Sequence, residues 1–149
     1  MKKTGNSAAS RTVAPVAQRA RTRRPAAKIT TKRAPQPPAW QGLAAEHCVP
    51  CKAGEGRLSS QEAIHLLGEL EDWVYYTDHI EKRLEYRNFA LALLCVNQIA
   101  AVAEASGHHP DIQLGWGYVE VRLSTHSIGG LSRNDFIVAA RIDAVTASR

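Results

Sequence analysis

Between Met1 and Trp40 the chain has no aspartate or glutamate, while ten lysines and arginines (Lys2, Lys3, Arg11, Arg19, Arg21, Arg23, Arg24, Lys28, Lys32 and Arg33) and five of the seven prolines fall there. Large apolar side chains are nearly missing from the same stretch. Such a segment buries too little apolar surface to offset the entropy of ordering its backbone. Residues 1–45 are therefore expected to form a disordered basic tail, and residues 46–149 the folded domain. Charge divides in the same way. The whole chain carries +5, yet the residues after Trp40 hold nine basic and fourteen acidic groups, a net of −5. Basicity belongs to the tail alone, so it argues for a tail that meets an acidic protein or polyanion, and against a nucleic-acid-binding fold.

The same composition bounds location. No uninterrupted run of about 18 apolar residues is found, so no membrane span is expected. The tail lacks the apolar stretch of a secretory signal. Its Arg, Ala, Ser and Thr content also suits a transit peptide, although prolines at 15, 25, 35, 37 and 38 cut the amphipathic helix such peptides need. Three cysteines without an export signal point to a reducing compartment. The expectation is a cytoplasmic location, with an organelle as the alternative if residues 1–40 are a transit peptide.

Beyond the tail, Ser59-Ser-Gln-Glu62 has the spacing of a capping box and predicts a helix over Ser60–Glu71. Asp72–Tyr76 and Ile80–Tyr86, separated by Thr77-Asp78-His79, predict a hairpin. Apolar Phe89, Leu93, Val96, Ala100 and Ala103, at spacings of three and four, predict a long helix over Asn88–Ser106. Gly107 suits its end, and Pro110 prevents its resumption. Residues 112–116 and 118–125 predict a second hairpin, with Val119, Val121 and Leu123 alternating with Glu120, Arg122 and Ser124. Ser132-Arg-Asn-Asp135 opens a last helix through Phe136, Ala139, Ala140 and Ile142. The order is α-β-β-α-β-β-α, an α+β fold with a four-stranded antiparallel sheet covered by helices.

On that map Glu104-Ala-Ser-Gly-His-His-Pro-Asp111 is a helix-to-strand corner holding two of the six histidines. In a regular strand His108 and His109 would point to opposite faces; at an irregular corner both can face one pocket. His126 shares the parity of Glu120 and Arg122, at the end of its strand. Two readings stay open on these grounds. Histidines also end a helix favourably as cations, and the capping box alone accounts for Asp135.

The pattern Glu104-x3-His108-His109-Pro110, His126 seventeen residues past His109 and Asp135 nine further on resembles the signature of the pterin-4a-carbinolamine dehydratases. The likeness runs through CVPC (Cys48–Cys51), EDW, Phe89, HHPDI, W-x-Y-V-x-V-x-L-x-T-H, GGLSxxD and A-x-x-ID, from Cys48 to Val145. It implies dehydration of 4a-hydroxytetrahydropterin to quinonoid dihydropterin, which recycles the cofactor of aromatic amino acid hydroxylases. Loss of the 4a-hydroxyl needs an acid for the departing oxygen and a base for a ring-nitrogen proton. Imidazole, titrating near neutrality, serves either end.

By the resemblance, His108, His109, His126 and Asp135 are the catalytic set, and Glu104, Pro110, Trp116 and Thr125 contact substrate. No metal and no resident cofactor is expected, since the elimination moves protons only and the pterin is the substrate. Expected partners are the tetrahydropterin, an aromatic amino acid hydroxylase and a second copy of the chain, as homodimer or homotetramer. A dehydratase-like domain serving instead as a binding or assembly factor is the alternative, either as a transcription-factor dimerisation cofactor or in RuBisCO assembly in carboxysome-bearing bacteria. Cys48-Val-Pro-Cys51 lacks the second half of a zinc site and reads as an ordered arm packed on the domain rather than a metal site or disulfide. Trp73 and Trp116 read as packing residues, and Cys95 as a small buried apolar one.

Overall fold

The computed structural model describes residues 41–52 and 56–147. Seven main elements follow one another: α1 (Ser60–Leu67), β1 (Val74–Tyr75), β2 (Ile80–Glu85), α2 (Phe89–Ser106), β3 (Asp111–Gly115), β4 (Tyr118–Leu123) and α3 (Arg133–Thr146). The strands form one antiparallel sheet in the order β1-β2-β4-β3. The α-β-β-α-β-β-α order and the helix-covered sheet are those expected from the sequence. Cross-strand pairs such as Leu84↔Val119 and Ile80↔Leu123 fix the register and keep one face apolar. Ile80, Leu84, Val119, Val121 and Leu123 on that face are fully buried together with Phe136, Val138 and Ile142 of α3.

α1 begins as predicted. Ser59 accepts from the Glu62 N–H, and the Glu62 carboxylate accepts from the Ser59 N–H at 2.9 Å. The helix ends at Leu67, short of Glu71, because Gly68 follows and Asp72 takes a left-handed φ of 57° to turn Trp73 into the core. Trp73 packs there as expected and donates its indole N–H to Asp143.

Of the expected α2 stripe, Ala103 is buried and Val96 partly so, while the rest of the buried set differs. Ala92, Cys95, Ile99, Val102 and Ala103 face the core, while Phe89 and Leu93 are exposed. This helix is apolar on several sides, so periodicity does not single out one stripe. Close approach to the sheet favours its small residues, and the bulky leucines turn outward. By length and mean hydropathy (1.6) α2 is also apolar enough to cross a membrane, a property the expectation of no span had not allowed for.

The expected tail boundary also moves. Gly42–Ala45 form a 3-10 turn with Leu43 and Ala44 buried, and Arg141 of α3 donates to the carbonyls of Ala44 and Glu46. Leu43 is the apolar anchor that brings this stretch into the fold. The rest of the expected tail, through Trp40, lies outside the described residues.

Candidate active site

The corner after α2 is built by its glycine. Gly107 sits at φ 61°, ψ 25°, and the next N–H, of His108, reaches back to the Ala103 carbonyl at 3.3 Å. This is the six-to-one bond of a Schellman-type helix end. Ser106 closes the same turn by donating its hydroxyl to the Val102 carbonyl, and it accepts from Arg141 at 2.7 Å. Two histidines are thereby delivered on a backbone fixed from both sides, and Pro110 leads into β3.

His108 turns inward. Its Nε2 lies 2.7 Å from Oδ1 of Asp135, and its side chain is only 13% exposed. Asp135, fully buried, is the third residue of α3 and the acidic member of the predicted capping box. Its Oδ2 accepts from the Ser132 N–H at 2.8 Å, the Thr125 hydroxyl at 2.7 Å and the Ser132 hydroxyl at 3.2 Å. A carboxylate only accepts hydrogen bonds, so the nitrogen that His108 shows to Oδ1 carries a proton, and in the neutral imidazole Nδ1 is then the acceptor.

The other two imidazoles face outward, each beside a carboxylate of its own. His109 Nε2 is 2.9 Å from Glu104 Oε1, and His126 Nε2 is 3.9 Å from Asp111 Oδ2. Their side chains are 60% and 79% exposed. His126 opens a short 3-10 turn (His126–Ile128) that follows β4 and is closed by Thr125 N–H bonding to the Gly130 carbonyl. That turn points Thr125 into the Asp135 cluster and His126 out. Of the four expected catalytic residues, His108 and Asp135 are in direct contact, Asp135 also joins His108 to Thr125, the residue before His126, and Asp111, two residues past His109, lies beside His126.

The expected substrate-contacting residues divide. Glu104 and Pro110 lie at the corner. Thr125 is buried, with its hydroxyl spent on Asp135 and Ser132. Trp116 is not brought to the corner by this chain. It occupies the β3–β4 turn, at the opposite end of the hairpin from Asp111, about 17 Å along the strand at the usual rise per residue. At 75% exposure it is not a packing residue either, since a two-strand turn leaves it nothing to pack on. Asp111 as a partner for His126 went unread in the sequence. The signal was available in its position directly after Pro110, at the first residue of a strand that pairs with β4.

The CVPC segment is an arm on the domain, as expected. Val49 is held by the Asn134 side chain through both backbone groups, at 3.0 Å and 2.7 Å, and Glu46 pairs with Arg133 through two bonds of 2.6 Å and 2.7 Å.

Comparison with known proteins shows the family of the folded part. The family model of pterin 4 alpha carbinolamine dehydratase matches residues 56–145. A curated relative from Halorhodospira halophila, assigned by name to the pterin-4-alpha-carbinolamine dehydratases, is 49% identical over 102 residues, 67% of this chain and 94% of that protein. The crystal structure of a transcriptional coactivator/pterin dehydratase from Brucella melitensis aligns with a TM-score of 0.56 and 30% identity, over 60% of this chain and 97% of that one. A pterin dehydratase-like protein described as a RuBisCO assembly factor in the alpha-carboxysome aligns at a TM-score of 0.43 and 27% identity, over 52% of this chain and 89% of that one. With its matched segment running from just before α1 into α3, the chain belongs to the pterin 4 alpha carbinolamine dehydratase family.

Proposed function

We propose that the chain eliminates water from a 4a-hydroxytetrahydropterin, giving a quinonoid dihydropterin, and that its histidines carry the protons. The observation that carries this reading is the buried His108–Asp135 pair set beside two exposed imidazoles. In the elimination, the C4a–O bond breaks with its electron pair going to the departing oxygen, which takes a proton and leaves as water. The adjacent ring N–H gives up its proton, and that electron pair forms the new C=N bond. One imidazolium and one neutral imidazole suffice, and each is returned to its starting state when the proton passes back through solvent. His109 and His126, open to solvent, suit that exchange. His108, oriented by Asp135, directs Nδ1 as an acceptor. No metal and no resident cofactor takes part in this scheme.

Glu104 and Asp111 sit beside His109 and His126 and orient those rings, and Pro110 keeps the corner from moving during turnover. An aromatic amino acid hydroxylase is the enzyme class whose product this reaction consumes. Self-association into a homodimer or homotetramer is part of the proposal, supported by the exposed leucines of α2.

The test is direct. The purified chain is given 4a-hydroxytetrahydropterin generated in the cuvette, and quinonoid dihydropterin is followed by absorbance. Turnover above the spontaneous rate, lowered at least tenfold by His109→Ala with an unchanged circular dichroism spectrum, is expected. A wild-type rate equal to the spontaneous one removes the enzyme reading and leaves a binding or assembly role in its place.

A further inference from the structure

Arg141 of α3 takes no part in the proton transfers, yet its side chain reaches the corner that carries the histidines. The residue is 9% exposed, and each guanidinium nitrogen has an acceptor. Nε donates to the Ala44 carbonyl at 3.0 Å and Nη2 to the Glu46 carbonyl at 2.6 Å, both on the arm. Nη1 donates at 2.7 Å to Oγ of Ser106, the last residue of α2. A guanidinium has no acceptor atom, so the Ser106 hydroxyl must donate elsewhere, and it donates to the Val102 carbonyl at 2.7 Å. The hydrogen bonds thus run in one direction, from Arg141 through Ser106 into the last turn of α2. That turn holds no basic residue of its own, so the cation that suits a helix C-terminus is supplied by α3.

A second side chain of α3 grips the other side of the same corner. Asp135, six residues before Arg141 and about 9 Å away along the helix axis, holds His108. Gly107 alone separates Ser106 from His108, and it sits at φ 61° with the backbone freedom of a residue that lacks Cβ. Anchoring both of its neighbours to one helix removes that freedom. We propose that Arg141 is a positioning residue: together with Asp135 it makes α3 a two-point clamp on Gly107, and the clamp keeps Nε2 of His108 against the Asp135 carboxylate. The arm belongs to the device, because the carbonyls of Ala44 and Glu46 fix the plane of the guanidinium that faces Ser106. The effect on turnover rests on the dehydratase reading; the clamp itself does not.

Without the bond from Arg141, Gly107 is anchored on one side only, and His108 is free to swing away from Asp135. A displacement of about 1 Å at a reacting group can cost about 10²-fold in rate. Because His108 is needed for proton transfer rather than for holding the pterin, the loss falls on kcat and spares KM.

The first readout is nuclear magnetic resonance of the isotope-labelled full chain with no pterin present. In wild type the His108 ring N–H that meets Asp135 is expected downfield and slow to exchange with water. Ser106→Ala leaves the arm bonds of Arg141 in place and should speed that exchange about tenfold or more, as should Arg141→Met. Ser106→Thr returns the hydroxyl and should restore the slow exchange. In turnover, Ser106→Ala and Arg141→Met should lower kcat about tenfold or more with KM within about twofold. Lys82→Met, which removes a different buried cation, should leave both readouts at wild type. If Arg141→Met does not fold, Ser106→Ala decides. Wild-type exchange in folded Ser106→Ala overturns the proposal. Faster exchange in Ser106→Ala, found with a wild-type chain that shows no turnover, upholds the clamp and removes the dehydratase reading alone.

Discussion

Asp135 divides its two oxygens between different tasks: Oδ1 meets Nε2 of His108 at 2.7 Å, while Oδ2 gathers Ser132 and Thr125 at the start of α3. Asp135→Asn keeps the shape and removes the symmetry. The three donors of Ser132 and Thr125 will claim the amide oxygen, leaving the NH2 group against His108. That forces the other tautomer, with Nδ1 protonated and no longer an acceptor. The expected result is a fall in turnover of about 10²–10⁴, with a folded protein and a switched His108 tautomer in nitrogen NMR. Unchanged turnover would remove Asp135 from the mechanism.

The second prediction concerns Lys82, which lies on the core-facing side of β2 and is 4% exposed. Its ammonium donates to the Glu71 carbonyl at 2.6 Å and to Asp143 at 2.8 Å, and Asp143 also accepts from the Trp73 indole and the Glu71 N–H. Asp143→Ala strands a buried cation and two further donors, and is expected to cost about 3–5 kcal/mol. Lys82→Met should cost less, because Asp143 keeps two of its donors. Urea denaturation midpoints check the order, and a reversed order contradicts the network.

How much of this was legible beforehand differs by element. The corner and Asp135 were, because glycine, proline and capping signals act over four or five residues. Lys82 was not: alternation along Ile80–Glu85 puts it on the apolar face, but the aspartate that satisfies it lies 61 residues away. The α2 stripe failed for a different reason. When both sides of a helix are apolar, tertiary packing decides which one faces in. The packing role expected for Trp116 failed because an aromatic residue on a turn carries no local signal of what surrounds it.

The third prediction follows from that outward side. Leu91 and Leu94 share a face and are 42% and 56% exposed. The chain is expected to scatter light as a homodimer or homotetramer, and Leu94→Glu to shift it to a smaller species. A wild-type monomer at micromolar concentration would contradict this.

A pH prediction comes from the arm. Glu46 is held below its ordinary pKa, chiefly by its hydrogen bonds to Arg133, with burial opposing and the Arg133 charge adding to the shift. A depressed carboxylate pKa contributes stability that is present above the unfolded value and is lost as pH falls through the folded one. Both groups are more than a third exposed, so solvent screens the pair and the contribution stays below about 1 kcal/mol. Amide exchange over residues 43–49 should therefore speed up, beyond the intrinsic pH effect, as pH drops below the ordinary glutamate range. In Glu46→Gln that extra change should vanish; its persistence would assign the acid response elsewhere.

The double duty of Asp135 bears on how relatives of this chain lose an activity. A descendant under no demand for chemistry would still need an acceptor for Ser132 and Thr125, since two hydroxyls and an amide left without one in a sealed interior are penalised whatever the protein does. The aspartate is then retained for the sake of the helix, and its presence says little about turnover. His109 and His126 hold up no part of the scaffold and drift freely once the reaction is given up. Whether such a protein still works on a pterin is best judged from those two outward positions.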